Sequence, residues 1–113
     1  MAEQTGRDRR EFYRLIYPVA VRPTIQVGAF VYETFDVSEY GIKLLCDDLN
    51  FRLGQTIIGT ITFHDGMSYP IEGVVLRITR REVILRLIKP IPERRMLDEQ
   101  RFIINKYLKK NRS

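Results

Sequence analysis

Six short runs of apolar, β-branched and aromatic residues, each ended by a turn signal, constrain this chain more than any other feature. They fall at residues 19–25, 29–35, 42–46, 56–63, 69–79 and 82–88. Such runs suit strands, whose side chains alternate between two faces. The links are short: Gln26-Val-Gly28, the hexapeptide Asp36-Val-Ser-Glu-Tyr-Gly41, His64-Asp-Gly-Met-Ser68 and Arg80-Arg81, with one longer polar loop at 47–55. Asp65-Gly66 is a strong hairpin signal. Pro23 has no amide to donate, so the first run is expected at an edge or a bulge. Hairpin-length links predict antiparallel pairing in a barrel or sandwich, and barrel closure removes the unpaired edges.

A helix is expected after the strands, from residue 93 to about 110. Pro92 suits its first turn. Met96, Leu97, Gln100, Ile103, Ile104, Tyr107 and Leu108 recur at three- and four-residue steps and make one apolar stripe. That stripe is expected to cover a mouth or face of the barrel. Residues 1–17 read as a charged, mobile arm, anchored near Leu15, Ile16 and Tyr17, and residues 18–113 as the barrel with its helix.

The chain has 113 residues, enough for one domain, and a net charge of +5. Between residues 29 and 75, two basic side chains face seven acidic ones, a balance of −5, so the remainder carries +10. Segregated positive charge suits an anionic partner, although a solubilising surface gives the same count. Cys46 is the single cysteine, which rules out an internal disulfide and a zinc-finger-type site; its phase with Ile42 and Leu44 predicts a buried small hydrophobe. No apolar run approaches the ~18 residues of a membrane span, and the N-terminus has no signal-like core. A cytoplasmic location is the expectation.

Two stretches carry chemistry. Arg10 and Arg14 stand four residues apart, with Arg9 beside them. Each guanidinium offers a planar fork of donors that fits phosphate oxygens or a guanine edge, and it also stacks on bases. A solvated basic arm is the plainer account. In the second stretch, Asp36 and Ser38 suit an ordinary turn, in which Gly41 would supply a positive φ. The functional account has Asp36 accepting from a guanine N1 or amino group and Ser38 donating to a phosphate or ring nitrogen. Gly41 would then let a ligand approach the backbone.

Together, Arg10-Glu-Phe-Tyr-Arg14 and Asp36-Val-Ser-Glu-Tyr-Gly41 resemble the PilZ domain, a bacterial receptor module for cyclic di-GMP, and the resemblance extends over nearly the whole chain. It implies a mostly β fold: a six-stranded antiparallel PilZ-type β-barrel with a C-terminal α-helix. It implies that Arg9, Arg10 and Arg14 grip phosphates and guanine, that Asp36 and Ser38 hold a second guanine, and that Gly41 allows close approach. An arginine at position 9 accompanies a stacked ligand pair in similar proteins, which implies two ligands per chain. It further implies a conformational change of the arm, no enzymatic activity, no cofactor beyond the cyclic di-GMP ligand, and a downstream protein in motility, exopolysaccharide or biofilm machinery.

Two other accounts fit the residues less well. One is a small basic barrel for single-stranded nucleic acid, disfavoured because the aromatics fall in core-type positions. The other is an adaptor of the same fold that does not bind the nucleotide, disfavoured by complete motifs. His64, the single histidine, reads as a surface-turn residue without a nucleophile motif. Asp47, Asp48 and Asn50 fail the spacing of a calcium loop. Arg77, Arg80, Arg81 and Arg86 form a basic hairpin, in which Arg80 and Arg81 read most simply as solvent-facing turn residues; a wider footprint for an anionic ligand and a contact with a partner protein are the alternatives.

Overall fold

The computed structural model describes residues 14–47 and 50–108. Arg9, Arg10 and most of the expected arm lie outside those residues. Strands β1 (Leu15–Ile16), β2 (Thr24–Val27), β3 (Phe30–Val37), β4 (Gly41–Leu45), β5 (Thr56–Thr62), β6 (Ser68–Ile78) and β7 (Glu82–Leu87) precede helix α1 (Glu93–Ile103). The order β3-β2-β5-β6-β7-β4 returns to β3, and every pairing is antiparallel, so β2 to β7 close a six-stranded barrel. The two-residue β1 adds to β3 beyond the end of β2, with Leu15 opposite Val37 and Ile16 opposite Asp36.

The expected alternation accounts for the core. Ile25, Ile42, Leu44, Ile57, Ile61, Val75, Val83 and Leu85 all point inward and are no more than 2% exposed. Cys46 is buried among them, as its phase predicts. Gly59 and Gly73 fall at inward positions where a side chain would strike backbone. A Cβ on Gly59 would lie 2.5 Å from the Gln26 carbonyl oxygen, and one on Gly73 would lie 3.0 Å from that of Arg86.

The first run is corrected. Residues 19–21 form a 3-10 turn, with the Val21 amide donating to the Pro18 carbonyl at 3.1 Å, and the strand begins only at Thr24. Pro18 and Pro23 bracket this segment and neither can donate to a ladder. Val19, which fitted the alternation, is 70% exposed. Pro23 still serves the sheet as an acceptor, because its carbonyl takes the Thr34 amide at 2.9 Å.

The expected helix is also altered. Its α-helical part ends at Ile103, and a π-helical turn, Ile104–Leu108, follows. The buried face is Arg95, Met96, Glu99 and Ile103, while Ile104 is 41% exposed. The helix is thus rotated toward two charged residues, because the barrel meets it there with matching polar groups. Glu99, fully buried, accepts from the Tyr17 hydroxyl at 2.8 Å and from Arg95 Nη1 at 2.8 Å, and its Oε2 lies 2.9 Å from His64 Nε2. Arg95 also donates to Asp65 at 3.0 Å and to the Tyr69 hydroxyl at 3.1 Å, and lies over the Phe63 ring. Burial opposes the Arg95 charge, but its bonds to Tyr69, Asp65 and Glu99 outweigh burial and raise its pKa. Burial, then the Glu99 charge, pushes the Tyr17 hydroxyl up.

Candidate ligand site on the barrel wall

The site begins with a fault in the β3–β4 ladder. Thr34 faces Leu44, but Asp36 faces Lys43, so the register shifts at Phe35. A bulge breaks the two-residue alternation and re-aims the side chains after it. Asp36 and Val37, adjacent in sequence, are therefore both buried, at 5% and 0% exposure. The Phe35 carbonyl is taken by the Tyr17 amide at 2.9 Å. That bond and the β1 pairing lay the root of the arm along β3 and deliver Arg14 to Asp36.

Arg14 donates to Asp36 Oδ2 through Nε at 2.8 Å, and its Nη2 lies 2.7 Å from the same oxygen. Lys43, directly opposite Asp36 in the ladder, places Nζ 3.7 Å from the same oxygen. Oδ1 takes part in none of these contacts. The hydrogen bond that Arg14 donates to Asp36, and then the Asp36 charge, raise the Arg14 pKa, so the guanidinium is fixed as a cation. The Arg14 side chain is 52% exposed. One face of the pair is therefore held by the barrel and the other is open to a ligand.

Ser38 and Gly41 close the turn. The Ser38 amide donates to the Gly41 carbonyl at 2.8 Å, and its hydroxyl bonds the same oxygen at 3.3 Å. Gly41 does not have the positive φ that the turn account expected; Gly28, Gly54 and Gly66 do. Its value lies in room. A Cβ there would sit 3.1 Å from Ser38 Oγ, tighter than ordinary packing. The turn is tied down further by the Leu87 amide to the Tyr40 carbonyl at 2.8 Å and the Ile91 amide to the Glu39 carbonyl at 2.9 Å.

Arg14, Asp36, Ser38 and Gly41, singled out from the sequence, thus line one cleft of about 220 Å³, together with Ile42, Lys43 and Ile84. Lys43 and Ile84 were missed. Their signal is positional: Lys43 points outward two residues after Gly41, and Ile84 pairs with it across β4 and β7. A larger, open depression of about 540 Å³ lies at Asn50 and residues 52–55; among the described residues, Arg52 is its one charged group and no motif residue lines it. Among the described residues, no three His, Cys, Asp or Glu side chains converge as a metal site would require. No described helix is long and apolar enough to cross a membrane.

Comparison with known proteins agrees with the fold. The PilZ domain model matches residues 8–105. Among solved structures, that of the Bacillus subtilis inhibitor of motility (MotI/DgrA) superposes with a TM-score of 0.61 at 21% identity. The match covers 83% of this chain and 51% of that one, so this chain spans about half the length of that protein. No curated protein sequence matches the chain. The family match spans most of the chain, including both motifs and the closed barrel, and the chain therefore belongs to the PilZ domain family.

Proposed function

We propose that this chain is a receptor for cyclic di-GMP that signals by a change in its N-terminal arm. The observation that carries this reading is the convergence of Arg14, Asp36, Ser38 and Gly41 on one cleft in a PilZ barrel. Arg14 is already oriented by Asp36 and presents its free donors outward, where they suit a phosphate or a guanine edge. Asp36 Oδ1 suits the N1–H or amino group of guanine, which adenine cannot match with the same donors. Ser38 donates to the ligand, and Gly41 leaves room beside it.

Arg9 and Arg10 complete the grip in this reading, and a second stacked ligand is accommodated between arm and barrel. Folding the arm over the ligand costs about 1–2 kcal/mol per ordered residue, so several charge-assisted contacts are needed to offset it. The ordered arm is then what a downstream protein reads. Catalysis forms no part of this reading; the residues bind and orient.

Selectivity tests it. Equilibrium dialysis against cyclic di-GMP, cyclic di-AMP and a single-stranded oligonucleotide should show saturable binding of the first alone. Equal binding of both cyclic dinucleotides would remove Asp36 as a guanine reader. Tighter binding of the oligonucleotide, with a steep salt slope, would instead mark a nucleic-acid barrel.

A further inference from the structure

The cleft is too small for the ligand proposed above. Pockets that hold a drug-sized ligand run from roughly 300 to 1,000 Å³. At about 220 Å³ this one takes part of a cyclic dinucleotide, and the rest must lie on the surface beside it. The ladder shows which surface is continuous with the cleft. On the outer wall, Gly41 faces Arg86 and Lys43 faces Ile84 across β4 and β7. Ile84 in turn faces Arg77, and Arg86 faces Val74, across β7 and β6.

Directly opposed side chains in such a ladder have Cβ atoms ~4.5–5.5 Å apart, and diagonal neighbours ~7–8 Å apart. Lys43 and Arg77 therefore stand directly opposite Ile84 on the two neighbouring strands, and Arg86 lies two residues along β7 from Ile84 on the same face, diagonal to Lys43. Ile84 is half-buried and offers an apolar platform, while Arg77 and Arg86 are exposed. Among the described residues neither arginine makes an ion pair with a carboxylate. Arg81, at the tip of the same hairpin, is occupied with Asp47 at 3.1 Å. The basic hairpin thus has two parts: a tip that faces solvent and a wall that adjoins the cleft.

We infer that Lys43, Arg77 and Arg86, set around Ile84, form a second subsite for a base and phosphate of the cyclic dinucleotide. A base lies against Ile84, the guanidinium planes stack on its open face or edge, and the cations meet the phosphate. This rests on the reading given under Proposed function.

The test is calorimetric titration of cyclic di-GMP into Arg86→Gln, Arg77→Gln and Lys43→Met, each at two salt concentrations. Arg80→Gln and Arg81→Gln serve as charge-matched controls, and Arg14→Ala as the control for the cleft. Each wall variant should weaken binding about fivefold, the equivalent of one ordinary hydrogen bond. Each should also show a shallower salt dependence with an unchanged Tm, and the tip variants should match wild type. Loss of binding in Arg14→Ala with no effect of the wall variants would overturn the subsite and leave the receptor reading standing. Equal weakening by wall and tip variants would also overturn it, since net charge alone would then be acting. A wild-type chain that binds no cyclic di-GMP would overturn both.

Discussion

Tyr17→Phe isolates the bond that fastens the root of the arm to the helix. The ring is 3% exposed, and phenylalanine fills the same space, so packing is retained. What is lost is the hydroxyl that donates to Glu99 Oε1 at 2.8 Å. Glu99 is fully buried, so water cannot replace that donor. Arg95 and His64 remain on Oε2, and the other oxygen is left bare. A hydrogen bond to a buried charge contributes about 1.5–3 kcal/mol. For a domain of this size, each kcal/mol shifts Tm by roughly 4 °C, so a fall of roughly 6–12 °C is expected. Urea unfolding monitored by circular dichroism should show a lower midpoint with an unchanged slope. A variant within about 0.5 kcal/mol of wild type would show that the Glu99 network does not hold the helix to the barrel.

Three further outcomes follow from the same contacts. Stability should fall at both pH extremes. Asp65 is opposed by slight burial but held low by the Met67 amide and Arg95, so its contribution is full above the ordinary value of 3.8 and is lost as pH drops below it. Tyr17 is raised, so its contribution is full below its ordinary value of 10.0 and fades as pH climbs above that; thermal melts across pH check both limbs. Gly41→Ala, whose Cβ would crowd Ser38 Oγ at 3.1 Å, should lower affinity for cyclic di-GMP at least several-fold while costing about 1 kcal/mol or less, measured by titration and urea unfolding together. Gly28→Ala, at a φ of 60° with open space around it, should cost about 1 kcal/mol and leave binding unchanged.

The barrel was legible because its inward positions obey a simple alternation and its turns carry Gly, Asp and Ser. The site was legible as far as its residues are local: Asp36, Ser38 and Gly41 sit in one turn, and Arg14 carries its own signature. The bulge that joins them was not, because Thr-Phe-Asp has no glycine to mark it and the fault depends on pairing with β4. The first run misled for a related reason. Two prolines fix its backbone into a turn although its apolar residues alternate. The helix was placed correctly but rotated, since Arg95 and Glu99 look like surface residues until Tyr17, His64, Asp65 and Tyr69 are brought around them. His64 is a turn residue, as its neighbours suggest, yet its ring stacks on Phe102 at 3.7 Å and its Nε2 lies 2.9 Å from Glu99. Sequence spacing holds no trace of partners up to 82 residues apart.

The measurement that bears most directly on the account is a calorimetric titration of wild type and Arg14→Ala with cyclic di-GMP. Arg14 is half exposed, and its pair with Asp36 contributes about 1 kcal/mol or less to folding once solvent screening is allowed for, so the variant should fold normally. The account predicts saturable binding by wild type, with one or two ligands per chain read from the stoichiometry, and no detectable binding by the variant. Normal binding by Arg14→Ala, or no heat and no thermal stabilisation of wild type at high ligand, would contradict it.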